Sequence, residues 1–346
     1  MAKPSGKKRS LSEFLGHEDT KLSSTLQFEV LPNEVIFCVF SYLTIVDLLK
    51  CGQVSKRFRA ISINENLWPK KLNLCHKKVP VGFLQKLLDS GCKYLSLSGA
   101  SLEGILNLPK VSRLKYLNMS DFRDRENSEK LLGSTYSLEK LSLSHLHLSS
   151  KLISLTSLQN GKTLMVLDLS YCTLCTEEMN CYCTPKIQQI VENCTELTEF
   201  SLYMTKLCKK AVDILCSSLT PNIKKLDLFQ MSFLKDKHVK KLVTRCNRIT
   251  DLHLGGRTSI TERSLNFVTE QLQLTLVKLD LTLTHVKFNF LKLKRMEKLK
   301  YLGYSNKNAI LGCNDFIRLR NQMPNLTITP SPENAKHTVL IYPRNH

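Results

Sequence analysis

Hydrophobic and polar positions follow two different periods along this chain, and the change of period divides it. Between Leu31 and Trp68 the apolar residues recur at helical spacing. Val35, Ile36, Val39, Phe40 and Leu43 make one stripe behind Leu31-Pro32, which predicts a short amphipathic helix with proline at its start. Thr44 stands three residues before Asp47, the spacing of a reciprocal cap, ahead of a second helix carrying Val46, Leu48, Leu49 and Val54. Lys56, Arg57, Phe58 and Ile61 mark a third helix, and polar Asn64-Glu65-Asn66 leads to Leu67 and Trp68. Three short helices enclose little interior. These carry more apolar residues than a solvated stripe needs, so a partner is expected to complete their core.

Beyond Trp68, Leu-x-x-Leu-x-Leu fragments return with helix-like sequence between them. Their main anchors fall at Leu72, Leu95, Leu117, Leu141, Leu167, Phe200, Leu226, Leu252, Leu279, Leu302 and Leu326. All but one of the separations lie between 22 and 27 residues, the length of a short strand plus a return helix in one solenoid unit. Alternation turns the leucines of Leu164–Leu169, Ile223–Leu228 and Leu276–Leu281 inward. Ala211–Cys216 and His238–Val243 have the apolar spacing of the return helices. The expected fold is therefore α/β, a short three-helix module followed by a curved solenoid with parallel strands and return helices. Its boundaries are read as a flexible basic tail over 1–27, the helical module over 28–70, the repeats over 71–330 and a tail over 331–346.

The alignment predicts two outward rows on the strands. One runs Ser96, Asn118, Ser142, Asp168, Ser201, Asp227, His253, Asp280, Gly303; its neighbour runs Tyr94, Tyr116, Lys140, Val166, Glu199, Lys225, Asp251, Lys278, Tyr301. Tyr94, Tyr116, Tyr203, Phe229 and Tyr301 are candidate aromatic anchors, and His253 is a polar candidate among them. Lys140, Lys225 and Lys278 are candidates to receive a phosphorylated or acidic peptide, although Asp227, Asp251 and Asp280 stand near enough to pair with them.

Charge alters this picture less than its size suggests. With 50 Lys and Arg against 30 Asp and Glu, the 346-residue chain carries a formal +20, enough for non-specific attraction to polyanions. The expected binding face nevertheless mixes aspartate, lysine and tyrosine, which favours a shaped polypeptide surface over a phosphate track. No nucleic-acid reader motif is present, and the lysine runs at 235–241 and 292–300 read as solvated helix faces. No apolar run is long enough to span a bilayer and none resembles a signal peptide, so a soluble chain of the nucleus or cytoplasm, without membrane partners, is expected. The 13 cysteines fall mostly at repeat positions rather than in a disulfide framework. The long interval of 33 residues between Leu167 and Phe200 holds YCTLCTEEMNCYC. Cys172, Cys175, Cys181 and Cys183 there have partly ligand-like spacing, but an enlarged surface loop is the stronger reading and no metal is assigned.

The segment Leu31, Pro32, Glu34, Ile36, Phe40, Leu43, Leu48, Leu49, Val54, Lys56, Arg57, Phe58, Leu67, Trp68 resembles an F-box domain. Ser55 stands where Cys is common in that family, and Phe58 where the aromatic is often Trp. The repeats resemble cysteine-containing leucine-rich repeats: Cys172 follows Leu169-Ser170-Tyr171, and Cys194 and Cys246 precede the next strand signatures at similar offsets. Together the two parts are similar to the F-box and leucine-rich repeat family over roughly 28–330. The resemblance implies a substrate-recognition subunit of a cullin-based ubiquitin ligase. Its partners would be a Skp-type adaptor, the cullin and RING subunit reached through that adaptor, and a protein substrate, phosphorylated or not. It also implies that Leu31, Pro32, Ile36, Phe40, Leu48 and Leu49 contribute to adaptor binding.

No Gly-rich phosphate loop, kinase set or metalloprotease motif is present, so no cofactor and no catalytic residue is assigned. The expected contribution to catalysis is proximity between a held substrate and a ubiquitin carrier. A noncatalytic scaffold or antagonist is the alternative, with nucleic-acid binding behind it.

Overall fold

The computed structural model describes residues 30–67, 73–89, 91–108, 113–174, 182–284, 286, 290–304 and 321–329. Both expected tails, Trp68, Leu72, Cys175 and Cys181 lie outside the described residues, as does the side chain of Val46. By its internal contacts the chain divides into residues 1–62 and 63–346, so the turn Glu65–Leu67 goes with the second unit rather than with the helices.

The first unit holds α1 (Asn33–Ser41), α2 (Ile45–Val54) and α3 (Lys56–Ser62). Pro32 precedes α1, and its carbonyl accepts from the amides of Val35 and Ile36, both at 3.2 Å. Thr44 caps α2: its Oγ1 accepts from the Asp47 amide at 3.3 Å and donates to the Asp47 carboxylate at 2.6 Å. Gly52 lets α2 and α3 close on each other, since a Cβ there would stand 2.7 Å from the Ser62 hydroxyl. Ile36, Phe40 and Leu48 are buried, and the Phe58 ring meets Phe40 edge-on at 5.3 Å. Arg57 donates to Asn33 Oδ1 at 2.8 Å and to the Leu31 carbonyl, tying α3 to the entry of α1.

The second unit alternates strands and helices: β1 (Lys78–Pro80), α4 (Val81–Asp89), β2 (Tyr94–Ser96), β3 (Ser101–Glu103), β4 (Tyr116–Asn118), α5 (Arg125–Gly133), β5 (Lys140–Ser142), α6 (Ser150–Ser154), β6 (Val166–Asp168), α7 (Cys183–Asn193) and β7 (Glu199–Ser201). It continues with α8 (Lys209–Ser218), β8 (Lys225–Asp227), α9 (Asp236–Arg245), β9 (Asp251–His253), α10 (Glu262–Gln271), β10 (Lys278–Asp280), α11 (Phe290–Leu293), β11 (Tyr301–Gly303) and β12 (Thr327–Thr329). Strands β2 and β4–β12 form one open parallel sheet of ten in chain order, while β1 and β3 make a separate parallel pair. The region is solenoid-like because each strand pairs only with the repeat before and the repeat after it.

Three columns of side chains explain the stacking. In the ten-stranded sheet the middle residue of each strand from Leu95 to Leu302 is at most 1% exposed, as is the residue two positions later from Leu97 to Leu281. The residue three positions before the strand centre, such as Leu138, Leu164, Ile223 and Leu276, completes the interior. Each such leucine contributes on the order of 1.5–3 kcal/mol by leaving water, and no single repeat can bury them alone. The long interval between Leu167 and Phe200 leaves pairing intact, since Val166 still aligns with Glu199. At the C-terminal edge the expected anchor Leu326 is corrected: Leu302 aligns with Ile328, and Leu326 precedes the strand.

A turn follows each of strands β2 and β4 to β10, and its third residue is left-handed. His76, Gly99, Asp121, His145, Tyr171, Met204, Gln230, Gly256 and Leu283 all have φ between 52° and 80° and occupy one register. Side chains are uncomfortable at positive φ, so the row is dictated by chain reversal rather than by residue preference. Only Gly99 and Gly256 hint at it in the sequence.

Candidate protein-binding surfaces

On the helical unit, burial and exposure separate the two sides of α1. Ile36 and Phe40 face inward, whereas Val35 and Val39 are 43% and 41% exposed and Tyr42 is 85% exposed. Val30 and Val54 add further open apolar area. The six residues expected at an adaptor interface therefore divide: Ile36, Phe40 and Leu48 lie in the interior, Leu31 and Leu49 are half-buried, and Pro32 is exposed. Val35, Val39 and Tyr42 share one face because residues three and four apart are neighbours on a helix. The hydrophobic stripe contained Val35 and Val39 but not Tyr42, and only packing shows which half of it is left outside. Glu34 and Lys56 are exposed, while Arg57 is taken up by its bonds within the unit.

On the repeat unit the strand residues flanking each buried centre face away from the core, but not all of them are open. Ser96, Ser142, Ser201, Asp280 and Val166 are buried. The serines are covered because they bond across the sheet: Ser142 donates to Asp168 Oδ2 at 2.8 Å, and the hydroxyls of Ser170 and Ser201 lie 2.7 Å apart. The expected rows are thus partly sealed by their own cross-strand network.

The candidate lysines are held by their neighbours. Lys225 pairs with Glu199 at 2.8 Å and Lys278 with Asp251 at 3.6 Å. Lys140 lies over the Tyr116 ring at 5.4 Å, and Lys278 over Tyr301 at 5.3 Å. Lys140, Lys225 and Lys278 stand on β5, β8 and β10, so at roughly 4.8 Å per strand successive ones are ~10–15 Å apart along the sheet and the outer two ~24 Å. One phosphate does not span that distance, and the structure does not bring the three together.

The aromatic candidates form two groups. Tyr94 and Tyr116 stack at 4.3 Å near the start of the sheet, and burial first, then Tyr94 and Glu139, pushes the Tyr116 phenol up to about 12. In the middle, Tyr203 stacks on Phe229 at 5.0 Å. Phe229, expected as an exposed anchor, is buried; its ring occupies the space left by Gly255, where a Cβ would come within 2.7 Å of Cε2. Tyr301 is the exposed candidate near the last strands. Reading strands alone missed His145 and Tyr171, which sit on the left-handed turn row, stack at 4.4 Å and are both exposed. The register of Gly99 and Gly256 was the signal that would have found them.

His253 is also occluded, with Nδ1 3.6 Å from Asp280 Oδ2. Burial acts to lower its pKa, but the Asp280 contact and the charges of Asp227 and Asp251 override it, and the imidazole is raised above its ordinary value. Burial raises and His253 lowers the Asp280 carboxyl, which ends below its ordinary range. The two are a pair integrated into the sheet.

The described cysteines of the long interval have separate duties. Cys172 is buried, donates to the Leu143 carbonyl at 3.0 Å, and has its thiol pushed up to about 12 mainly by burial. Cys183 is buried at the start of α7 and accepts from the Cys208 amide at 3.3 Å. Among the described residues no group of three or more His, Cys, Asp or Glu is placed to hold a metal ion, and no helix is long and apolar enough to cross a membrane.

Comparison with known families bears on the first of these surfaces. Residues 28–72 match the F-box-like family model, a span that contains all three helices of the first unit. The chain thus joins an F-box-like domain to an open, parallel, solenoid-like β-sheet region.

Proposed function

We propose that this chain is a noncatalytic substrate-recognition subunit of a cullin-based ubiquitin ligase, with a Skp-type adaptor held by the F-box-like domain and a protein substrate held by the repeats. The reading rests on the F-box-like match over 28–72. The open apolar face of Val35, Val39 and Tyr42 is the surface suited to the adaptor, with Leu31, Pro32 and Leu49 beside it. Ile36, Phe40 and Leu48 act from beneath by holding that face in place. The cullin and RING subunit join through the adaptor, which suits a chain of the nucleus or cytoplasm.

The second unit is read as leucine-rich repeats of the cysteine-containing type. Support comes from the three buried columns, from Cys194 and Cys246, buried at the same offset before β7 and β9, and from Cys172, buried just after β6. The catalytic contribution is proximity: the receptor raises the local concentration of substrate near a charged ubiquitin carrier.

Capture of a purified Skp-type adaptor tests the reading. The intact chain is expected to bind, and Val35→Asp/Val39→Asp to weaken binding about 100-fold or more, because it places charge in an apolar contact. Both positions are exposed, so the variant is expected to retain the far-ultraviolet circular dichroism of the parent. A well-folded parent that does not bind the adaptor sinks the proposal.

A further inference from the structure

The loop that follows β8 holds one large apolar side chain out in water. Leu141 to Leu148, Leu167 to Leu174 and Phe200 to Leu207 each span seven residues from a buried strand centre to the buried residue that closes the loop, whereas Leu226 to Leu234 and Leu252 to Ile260 span eight. The two longer loops thus place one extra residue before the closing one, Phe233 in the first and Ser259 in the second. Serine serves there, so a loop of this length does not require an aromatic. Phe233 is 54% exposed and has φ 62°, a left-handed conformation that a bulky side chain adopts only under constraint. The constraint comes from the next repeat. Arg257 donates to the Gln230 carbonyl at 2.6 Å and to the Ser232 hydroxyl at 3.2 Å, and the Ser259 hydroxyl donates to the Leu234 carbonyl. The backbone is therefore tied down on both sides of the ring.

Lysines without ion pairs surround it. Lys206, Lys209, Lys210 and Lys235 are exposed, and among the described residues none of them meets a carboxylate. The carboxylates of α8 and α9 are already taken: Asp213 holds Lys237 at 3.2 Å and His238 at 2.9 Å, and Asp236 holds Thr261 and Ser264. Lys206 lies in the neighbouring loop at the same offset as Ser232, one repeat away and so roughly 5 Å at the usual strand spacing. Lys235 stands two residues past Phe233, and Lys209 and Lys210 open α8, which packs against α9. Along the same register Thr173 and His147 precede Lys206, and Thr258 follows Ser232. The basic patch thus ends after about two repeats, ~10 Å, too short for a phosphate track.

We propose that Phe233 and the lysines around it form a docking surface for an acidic polypeptide segment. An apolar side chain of that segment rests on the Phe233 ring, and its carboxylates meet Lys206, Lys209, Lys210 and Lys235. A ring fixed in advance gives up little freedom on binding, and the flanking charges set the orientation of what binds. The surface lies on the loop edge, apart from the strand rows whose lysines Lys225 and Lys278 are paired. It depends only on the repeats, whereas the identity of its occupant as a substrate rests on the receptor reading.

Fluorescence anisotropy on the full chain at physiological salt tests the proposal. The probes are labelled Gly-Ser peptides carrying a leucine flanked by glutamates, the same peptide with serine for leucine, and a single-stranded oligonucleotide of matched charge. The leucine-glutamate peptide is expected to bind most tightly. Phe233→Gly is expected to weaken it about tenfold without destabilising the fold, because glycine accepts the left-handed backbone. Lys209→Glu/Lys210→Glu is expected to weaken it as much, and negative charge suits the first turn of α8, so the helix is retained. Lys294→Glu/Lys298→Glu makes the same change to the net charge of +20 away from the patch and is expected to have little effect. Equal weakening by both lysine pairs, or equal binding of the serine peptide, overturns the proposal. Tighter binding of the oligonucleotide overturns it in favour of nucleic acid. Peptide binding that appears only in Glu177→Gln/Glu178→Gln overturns it too, by making the chain's own acidic segment the occupant. Adaptor capture by the same preparations is read separately: its loss with peptide binding intact counts against the receptor reading alone.

Discussion

At the residue scale, polar groups inside the repeats are the least forgiving positions. Lys186 is buried on α7 and donates to the carbonyls of Leu148 and Leu174 at 2.7 and 2.8 Å. Nothing in its sequence context distinguishes it from a solvated lysine, because its acceptors lie 38 and 12 residues away. His253 is a similar case with a measurable consequence. Its pKa is raised in the fold by Asp280, Asp227 and Asp251, against the opposing effect of burial. A raised histidine stabilises the fold fully below its unfolded value of about 6.5 and loses that contribution as pH rises through the folded value. Asp280, with a depressed pKa, contributes above its unfolded value near 3.9 and loses the contribution as pH falls. The urea midpoint of the parent should therefore exceed that of His253→Gln most near about pH 6, and the gap should shrink toward about pH 8.5. A gap independent of pH would show that the ion pair contributes nothing beyond packing.

At the element scale, neighbouring helices are stitched together by caps that cross repeats. Asp236, in the first turn of α9, accepts from the Thr261 amide at 2.9 Å, from the Thr261 hydroxyl at 2.7 Å and from the Ser264 hydroxyl, so one carboxylate serves the start of α10. Burial opposes its ionisation, but the bonds from Ser264 and Thr261 win and depress its pKa. Asp236→Ala leaves an amide and two hydroxyls at the α10 terminus without their acceptor, and is expected to cost about 2–3 kcal/mol in chemical denaturation. A loss under about 0.5 kcal/mol would mean that water replaces the carboxylate. Helix α9 was legible from the apolar spacing of His238–Val243, whereas the cap joining it to α10 was not. It links positions 25 to 28 residues apart, beyond the reach of any local motif. The strand centres were legible for the opposite reason: period-two alternation is local. Among the described residues the misplaced anchor, Leu326, lies where Thr327, Ile328 and Thr329 also alternate, so two registers satisfied the same pattern.

At the scale of the whole molecule, the repeat unit behaves as a chain of nearest neighbours. Each sheet strand is bonded to the strands before and after it, and the order ends at β12. Stability in such an array depends on how many interfaces a repeat shares, so opening begins at the ends. Amide hydrogen exchange is expected to be slowest in β6 to β9, whose centres are buried, and fastest in β12, where the sheet order ends and Thr327 is exposed. Uniform protection across all ten strands would indicate a single cooperative unit instead. The domain order also bears on function: a family-matched helical unit precedes an array whose outward face is chemically patterned.

The sequence by itself determined the two periods, and with them the three helices, the parallel strands and the buried leucine columns, because each depends on spacings of a few residues that water enforces locally. Only the tertiary structure decided which apolar residues stay outside and which charges remain open. It buried Ile36 and Phe40 while leaving Val35, Val39 and Tyr42 exposed, and paired Lys225 with Glu199. It also aligned His145, Tyr171, Tyr203 and Phe229 into one ridge from four different repeats. Those outcomes depend on which side chains meet across turns of the solenoid, and no pattern within a single repeat contains that information.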